Sequence, residues 1–203
     1  DSIKTSTVKV GPYLPDMYIM NDGEGVQSNK NDAAYLRNGT PYQNSSTTDQ
    51  IKTQTIANRP TLQTATYYIM LEQDGDAIND DITISGPGDT SFGGGNWTVR
   101  YYNVTNDIDI SDAVTTTGYI FTALDSGATR LIRLVVTPDI SVSGSTTLPV
   151  TVTATSVGGP TKIDAVIART TVSNNYQPDA LVSSDGVSYN RDGLAYQSSA
   201  TTD

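Results

Sequence analysis

Seven aspartates in two groups are the densest chemical material in this chain: Asp74, Asp76, Asp80 and Asp81, then Asp107, Asp109 and Asp112. Carboxylates this close together in polar loops can begin an oxygen cage for a hard cation, and calcium takes roughly six to eight such oxygens. Neither group has the Gly and closing Glu of an EF-hand loop. Asp beside Gly is equally the material of turns between strands. If a metal binds, calcium in these loops is the expectation, and no other cofactor is implied.

Catalytic material is scarce. The chain has no histidine and no cysteine, which removes the commonest general base, thiol nucleophiles, disulfides and thiolate metal sites. Serine and threonine are plentiful, but a nucleophilic hydroxyl needs a base beside it. The five lysines, Lys4, Lys9, Lys30, Lys52 and Lys162, sit in strand-like or loop contexts, and nothing in their spacing points to a Lys–Asn amide crosslink. Paired carboxylates of the glycosidase kind remain, yet Glu24 and Glu72 are the only glutamates. No catalytic residue is assigned, and the expectation is a protein that is not an enzyme.

Charge narrows the partners. A net charge of −10 and a pI near 4.2 oppose phosphate backbones, which require a basic stripe; no nucleic acid partner is expected. No apolar run reaches the length of a membrane helix, so no membrane insertion is expected in this segment. Asn38, Asn44, Asn96 and Asn103 head Asn-x-Ser/Thr sequons, candidates for glycosylation on an exported surface.

The elements that must carry these residues are strands. Between residues 51 and 172 apolar and polar residues alternate with period two, the pattern of half-buried strands. In 148–156, LPVTVTATS, Val150, Val152 and Ala154 face one way and Thr151, Thr153 and Thr155 the other. Strands are predicted over 65–71, 81–85, 97–103, 119–123, 129–137, 148–156 and 163–172, with Asp-Gly, Gly-Pro-Gly and Gly-Gly-Gly turns between them. A short helical turn is predicted at 110–115. Trp97, Tyr101 and Tyr119 fall in strand patterns and are assigned to the core. The fold class is all-β, an Ig-like β-sandwich with extended N- and C-terminal arms.

The end of the chain repeats its beginning. DSIKTSTVKVGPYLPD at 1–16 matches DAVIARTTVSNNYQPD at 164–179, with Asp1, Thr7, Tyr13, Pro15 and Asp16 recurring at Asp164, Thr170, Tyr176, Pro178 and Asp179, 163 residues on. YLRNGTPYQNSSTTD at 35–49 matches YNRDGLAYQSSATTD at 189–203. Self-similarity at a fixed period marks an array. The division that follows is 1–12, homologous to the closing strand of a preceding unit; 13–50, a loop or hairpin arm; 51–175, the sandwich; and 176–203, the start of the next repeat. Such an arm could lie on a neighbouring unit or pack on its own domain.

The Tyr-x-Pro-Asp block, the strand 97–102 (Trp-Thr-Val-Arg-Tyr-Tyr), Val136 to Pro138, Thr153 to Ser156 and the closing Lys162 to Val166 together resemble an Ig-like tandem-repeat module of large secreted bacterial surface and filament proteins. The family's opening arginine is absent here, with Leu14 and Gln177 in its place. The resemblance implies an extracellular structural module and no catalytic residue.

The functional expectation is a subunit or repeat of an extracellular filament, sheath or cell-surface stalk, partnered with copies of itself as a head-to-tail polymer or tandem array. Strand and arm sharing would join the units, with residues 1–12 satisfying a sheet edge next door. The assembly interface is assigned to Ile3, Val8, Val10, Tyr13, Tyr35, Tyr42, Tyr176, Tyr189 and Tyr196. The alternative is an adhesive or calcium-dependent glycan-binding β-sandwich.

Overall fold

The computed structural model describes residues 11–29, 31–35, 50–57, 63–77 and 79–173. Eleven strands and one short helix follow in chain order: β1 (Pro15–Asn21), β2 (Ile51–Ile56), β3 (Ala65–Gln73), β4 (Asp80–Ser85), β5 (Thr90–Phe92), β6 (Gly95–Asn103), β7 (Ile108–Asp109), α1 (Ser111–Thr115), β8 (Tyr119–Leu124), β9 (Thr129–Pro138), β10 (Thr147–Ser156) and β11 (Ile163–Val172).

They form two sheets. The first runs β1-β3-β9-β6-β5 with β7 on β6, and the second runs β2-β11-β10-β4-β8. Every pairing is antiparallel except β2 with β11, where Ile51 lies opposite Ile167 and Ile56 opposite Val172. All seven predicted strands and the helical turn are present. The two-sheet, all-β architecture is the predicted sandwich.

Alternation places the core. Ile69, Leu71, Trp97, Val99, Tyr101, Leu134 and Val136 point inward from the first sheet to meet Ile82, Ile84, Val150, Val152, Val166 and Ala168 from the second. Each such aliphatic side chain, fully buried, contributes roughly 1.5–3 kcal/mol. Tyr119 is half-buried against this core and meets Phe121 edge-on, with ring centroids 5.0 Å apart.

The described residues of 13–50, namely 13–29, 31–35 and 50, depart from the reading of this segment as an arm. Residues 15–21 form β1, an edge strand of the first sheet, with Asp16 opposite Glu72 and Ile19 opposite Ile69. Met17 and Ile19 are fully buried in the main core, so the sandwich begins near residue 14 rather than 51. Pro15 sits first on this edge strand, where its missing N–H costs no ladder bond. On the outer face, Tyr18 and Met20 pack with Met70 under Tyr35. Residues 22–35 thus fold back onto their own sheet.

Candidate functional site

Two features stand out from the residues upward: an acidic seam inside the module, and the two poles by which the chain enters and leaves it.

The seam joins β1 to β11. Asp164 is the second residue of β11 and points into the space between the sheets. Its Oδ2 accepts the Met17 N–H at 2.6 Å, and so satisfies a donor on the free edge of β1. The Asp16 carboxyl lies close enough to that of Asp164 for the two to interact. Tyr18 donates its hydroxyl to Asp16 Oδ2 at 2.6 Å and lies 3.1 Å from Glu72 Oε2. Asp16, Glu72 and Asp164 are 5%, 5% and 1% exposed.

Burial raises the pKa of both aspartates; the charges of Asp74 and Glu72 raise Asp16 further, and burial with the charge of Asp16 pushes Asp164 up to about 7. Two carboxyls this close in a dry site share one proton. Burial and the adjacent Asp16 carboxylate likewise raise Tyr18 well above the usual phenol range. Sequence reasoning missed this cluster because its members are far apart in the chain, 16, 72 and 164. Their recurrence was visible, since Asp16 and Asp164 are two of the five residues shared between the copies.

The other three shared residues also hold structural posts. The Tyr13 ring lies directly on the backbone of Gly158 and Gly159, where any side chain would collide with it. Pro15 opens β1. The Thr170 hydroxyl is 3.0 Å from the Tyr67 hydroxyl, which donates to the Arg169 carbonyl at 2.6 Å. Burial pushes Tyr67 up to about 12.

The poles lie at opposite ends of β11. At the leading pole, the Gly11 and Pro12 carbonyls accept the Asp76 and Ala77 N–H groups at 3.4 and 2.8 Å, and Leu14 O accepts the Asp74 N–H at 3.0 Å. Gln73 adds a bond to Pro12 O at 3.1 Å and accepts from Leu14 N at 3.3 Å. Gly75 is required there because a Cβ would strike the Gly11 and Pro12 carbonyls. At the trailing pole, Val172 exchanges bonds with Ser145 and Thr146, and Ser173 N donates to Ile56 O at 2.9 Å.

The two acidic groups do not form cages. Asp80 is buried and accepts from Ser156 Oγ and Gly158 N at 3.1 and 3.3 Å, while Asp81 accepts the Ala123 N–H at 2.8 Å. Asp74 and Asp76 lie exposed in the turn that holds Gly11 and Pro12. Asp107 pairs with Arg133 at 2.9 Å. Asp109 accepts the Ser111 N–H at 2.8 Å, and the Ser111 bonds hold its carboxyl below the usual range. Asp112 is exposed on α1. Among the described residues, no group of three or more acidic side chains is placed to hold a metal ion.

Of the residues assigned to assembly, Tyr13 and Tyr35 are engaged inside the module. Tyr35 is buried, donates to the Gln27 carbonyl and packs on Tyr18 with ring centroids 6.5 Å apart. Ile3, Val8, Val10, Tyr42, Tyr176, Tyr189 and Tyr196 lie outside the described residues, as do Asn38 and Asn44. Asn96 is exposed. Asn103 is buried, with its amide donating to Tyr119 and accepting from Thr105 N, which closes it to a glycan.

A shallow concavity of about 690 Å³ opens beside β6 and α1, lined by Asp89, Val99, Arg100, Ile108, Asp109 and Tyr119. Arg100 and Asp89 neutralise each other through bonds of 2.5 and 3.0 Å. Among the described residues, no helix is long and apolar enough to cross a membrane.

No protein-family model matches the chain, and no curated protein matches it. Among solved structures it is similar to the CupB6 tip adhesin from Pseudomonas aeruginosa, at 12% identity and a TM-score of 0.39, over 61% of this chain and 39% of that one. The VesB protease of Vibrio cholerae matches at 11% and 0.32, over 60% of this chain and 30% of that one. The N-terminal domain of PorA matches at 13% and 0.34, over 77% of this chain and 96% of that one. The chain thus spans well under half the length of the adhesin and protease chains. Likeness this loose concerns β architecture and carries nothing about activity.

Proposed function

We propose that this chain carries one complete module of a tandem, in-line array that builds length outside the cell, as a filament, sheath or stalk. One observation carries the reading: the chain enters the sandwich at one pole and leaves at the other, and the sequence leaving it repeats the sequence that entered. A module threaded this way adds its full length to whatever it is joined to. With ten residues in β11, that length is at least about 33 Å.

The place of β11 in the module supports joining by peptide continuity. β11 fills its position in this module, paired with β10 on one side and β2 on the other, while β2 and β8 end that sheet. Residues 1–12 are homologous to that strand, so they correspond to the closing strand of a preceding module rather than to a missing part of this one. Peptide continuity, not strand exchange, joins the units in this reading.

The denatured mass of the polypeptide isolated from its source tests this. A tandem array gives a band far above the 21.6 kDa of this segment, whereas a band near that mass means separate subunits and defeats the proposal. The adhesive alternative rests on the concavity beside Arg100. It predicts glycan binding that Arg100→Ala abolishes, and a blank glycan array removes it.

A further inference from the structure

Resting on the tandem reading, we propose that successive modules abut with no free linker, the trailing pole of one seated on the leading pole of the next through exposed apolar side chains. The spacing is forced by residues on the page. Ser173 is tied to this module through Ile56 O. Gly11 is tied at the leading pole, where its carbonyl accepts the Asp76 N–H. The 163-residue offset makes residue 174 the counterpart of Gly11. Adjacent residues therefore belong to different modules, and consecutive Cα atoms are only about 3.8 Å apart. Two sandwich ends held that close cannot both remain fully solvated.

The poles are built for contact. At the trailing pole, the β5–β6 turn and the loop between β9 and β10 are tied together by Ser143 N donating to Gly93 O at 2.9 Å. These loops present Phe92 and Ile140, 50% and 62% exposed. At the leading pole, Val157 is 51% exposed, and its N–H donates to Asp81 O at 2.8 Å. It stands next to the Gly158–Gly159 shelf that carries Tyr13. The occupant of each patch is a second copy of this module. The recurrence of Tyr13, Pro15 and Asp16 at Tyr176, Pro178 and Asp179 supplies that copy with the residues that fix the leading pole to its own strand.

The test uses the full chain with residues 11–173 duplicated in frame, so that two modules follow one another. The chain contains no cysteine, so Thr98→Cys, exposed on β6, placed in both copies gives two spin-label sites. Pulsed electron resonance then reads the distance between modules. A single narrow distance of at least about 33 Å is expected. Phe92→Asp with Ile140→Asp in the first copy and Val157→Asp in the second should broaden that distribution at least about two-fold, and a six-residue Gly-Ser insertion after Ser173 should do the same whether or not the charged variant folds. A distribution already broad in the parent overturns the abutment. A narrow distribution that survives the charges in a folded variant overturns the apolar contact. Either failure leaves the denatured-mass test of the tandem array untouched.

Discussion

β1 and β11 both line the core, yet they are buried in different ways. β11 alternates: its inward residues Asp164, Val166, Ala168, Thr170 and Val172 are buried, while Ile163, Ile167, Arg169 and Thr171 are partly or fully exposed. β1 is covered on both faces, by the core beneath Met17 and Ile19 and by Tyr35 and the returning segment above Tyr18 and Met20. Binary patterning reports one-sided burial, so a strand sandwiched twice carries no period to read. The comparison teaches that the opening strand is as integral as the closing one, and that the acidic seam between them joins the two sheets.

The largest effect should come from emptying the core under β1. Ile19→Ala is expected to cost about 2–4 kcal/mol, the same range as Leu134→Ala in the central strand β9, by urea denaturation. A loss below about 1 kcal/mol at Ile19 alone would break the parity and return β1 to the status of an attached arm.

Next is the seam. Asp164 binds its proton more tightly folded than unfolded, so the stabilisation is complete below the ordinary carboxylate range. It is lost as pH rises through about 7. Asp16 adjoins Asp164, Tyr18 donates to Asp16, and Asp74 and Glu72 add their charges to Asp16. The protein should therefore be more stable near pH 5 than near pH 8, by on the order of 1–3 kcal/mol. Asp164→Asn keeps an acceptor for Met17 N and a donor for Asp16, and should flatten that slope. An unchanged slope in the variant would remove the shared proton.

A smaller effect sharpens the outer cover of β1: Tyr35→Phe, losing its bond to Gln27 O, should cost about 0.5–1.5 kcal/mol. Smallest of all is the exposed Arg133–Asp107 pair. Asp107→Asn should move stability by less than about 1 kcal/mol, and millimolar calcium should leave the melting temperature unchanged. A rise of several degrees with calcium would restore the acidic loops as a cation site.

Legibility followed the same divide. The central strands were readable because Thr and Val alternate on surfaces wet on one side, as in β10. The short strands β5 and β7 have three and two residues, too few to show a period. The aspartate groups look like ligands in one dimension, but β-strand geometry and turn bonding point them at separate partners. Asp16 and Asp164 looked like ordinary repeat residues. Only the packing of β1 in one sheet against β11 in the other brings them together, and no local signal in the chain encodes that contact.

The most direct measurement is thermal unfolding and sedimentation of the chain lacking residues 1–10. If the module closes with its own β11, this variant stays monomeric and melts within about 2 °C of the parent. A variant lacking 164–173 instead fails to fold. The opposite outcome, collapse of the shortened chain with recovery on adding a peptide of residues 1–12, would show that the module borrows its closing strand and would contradict the account.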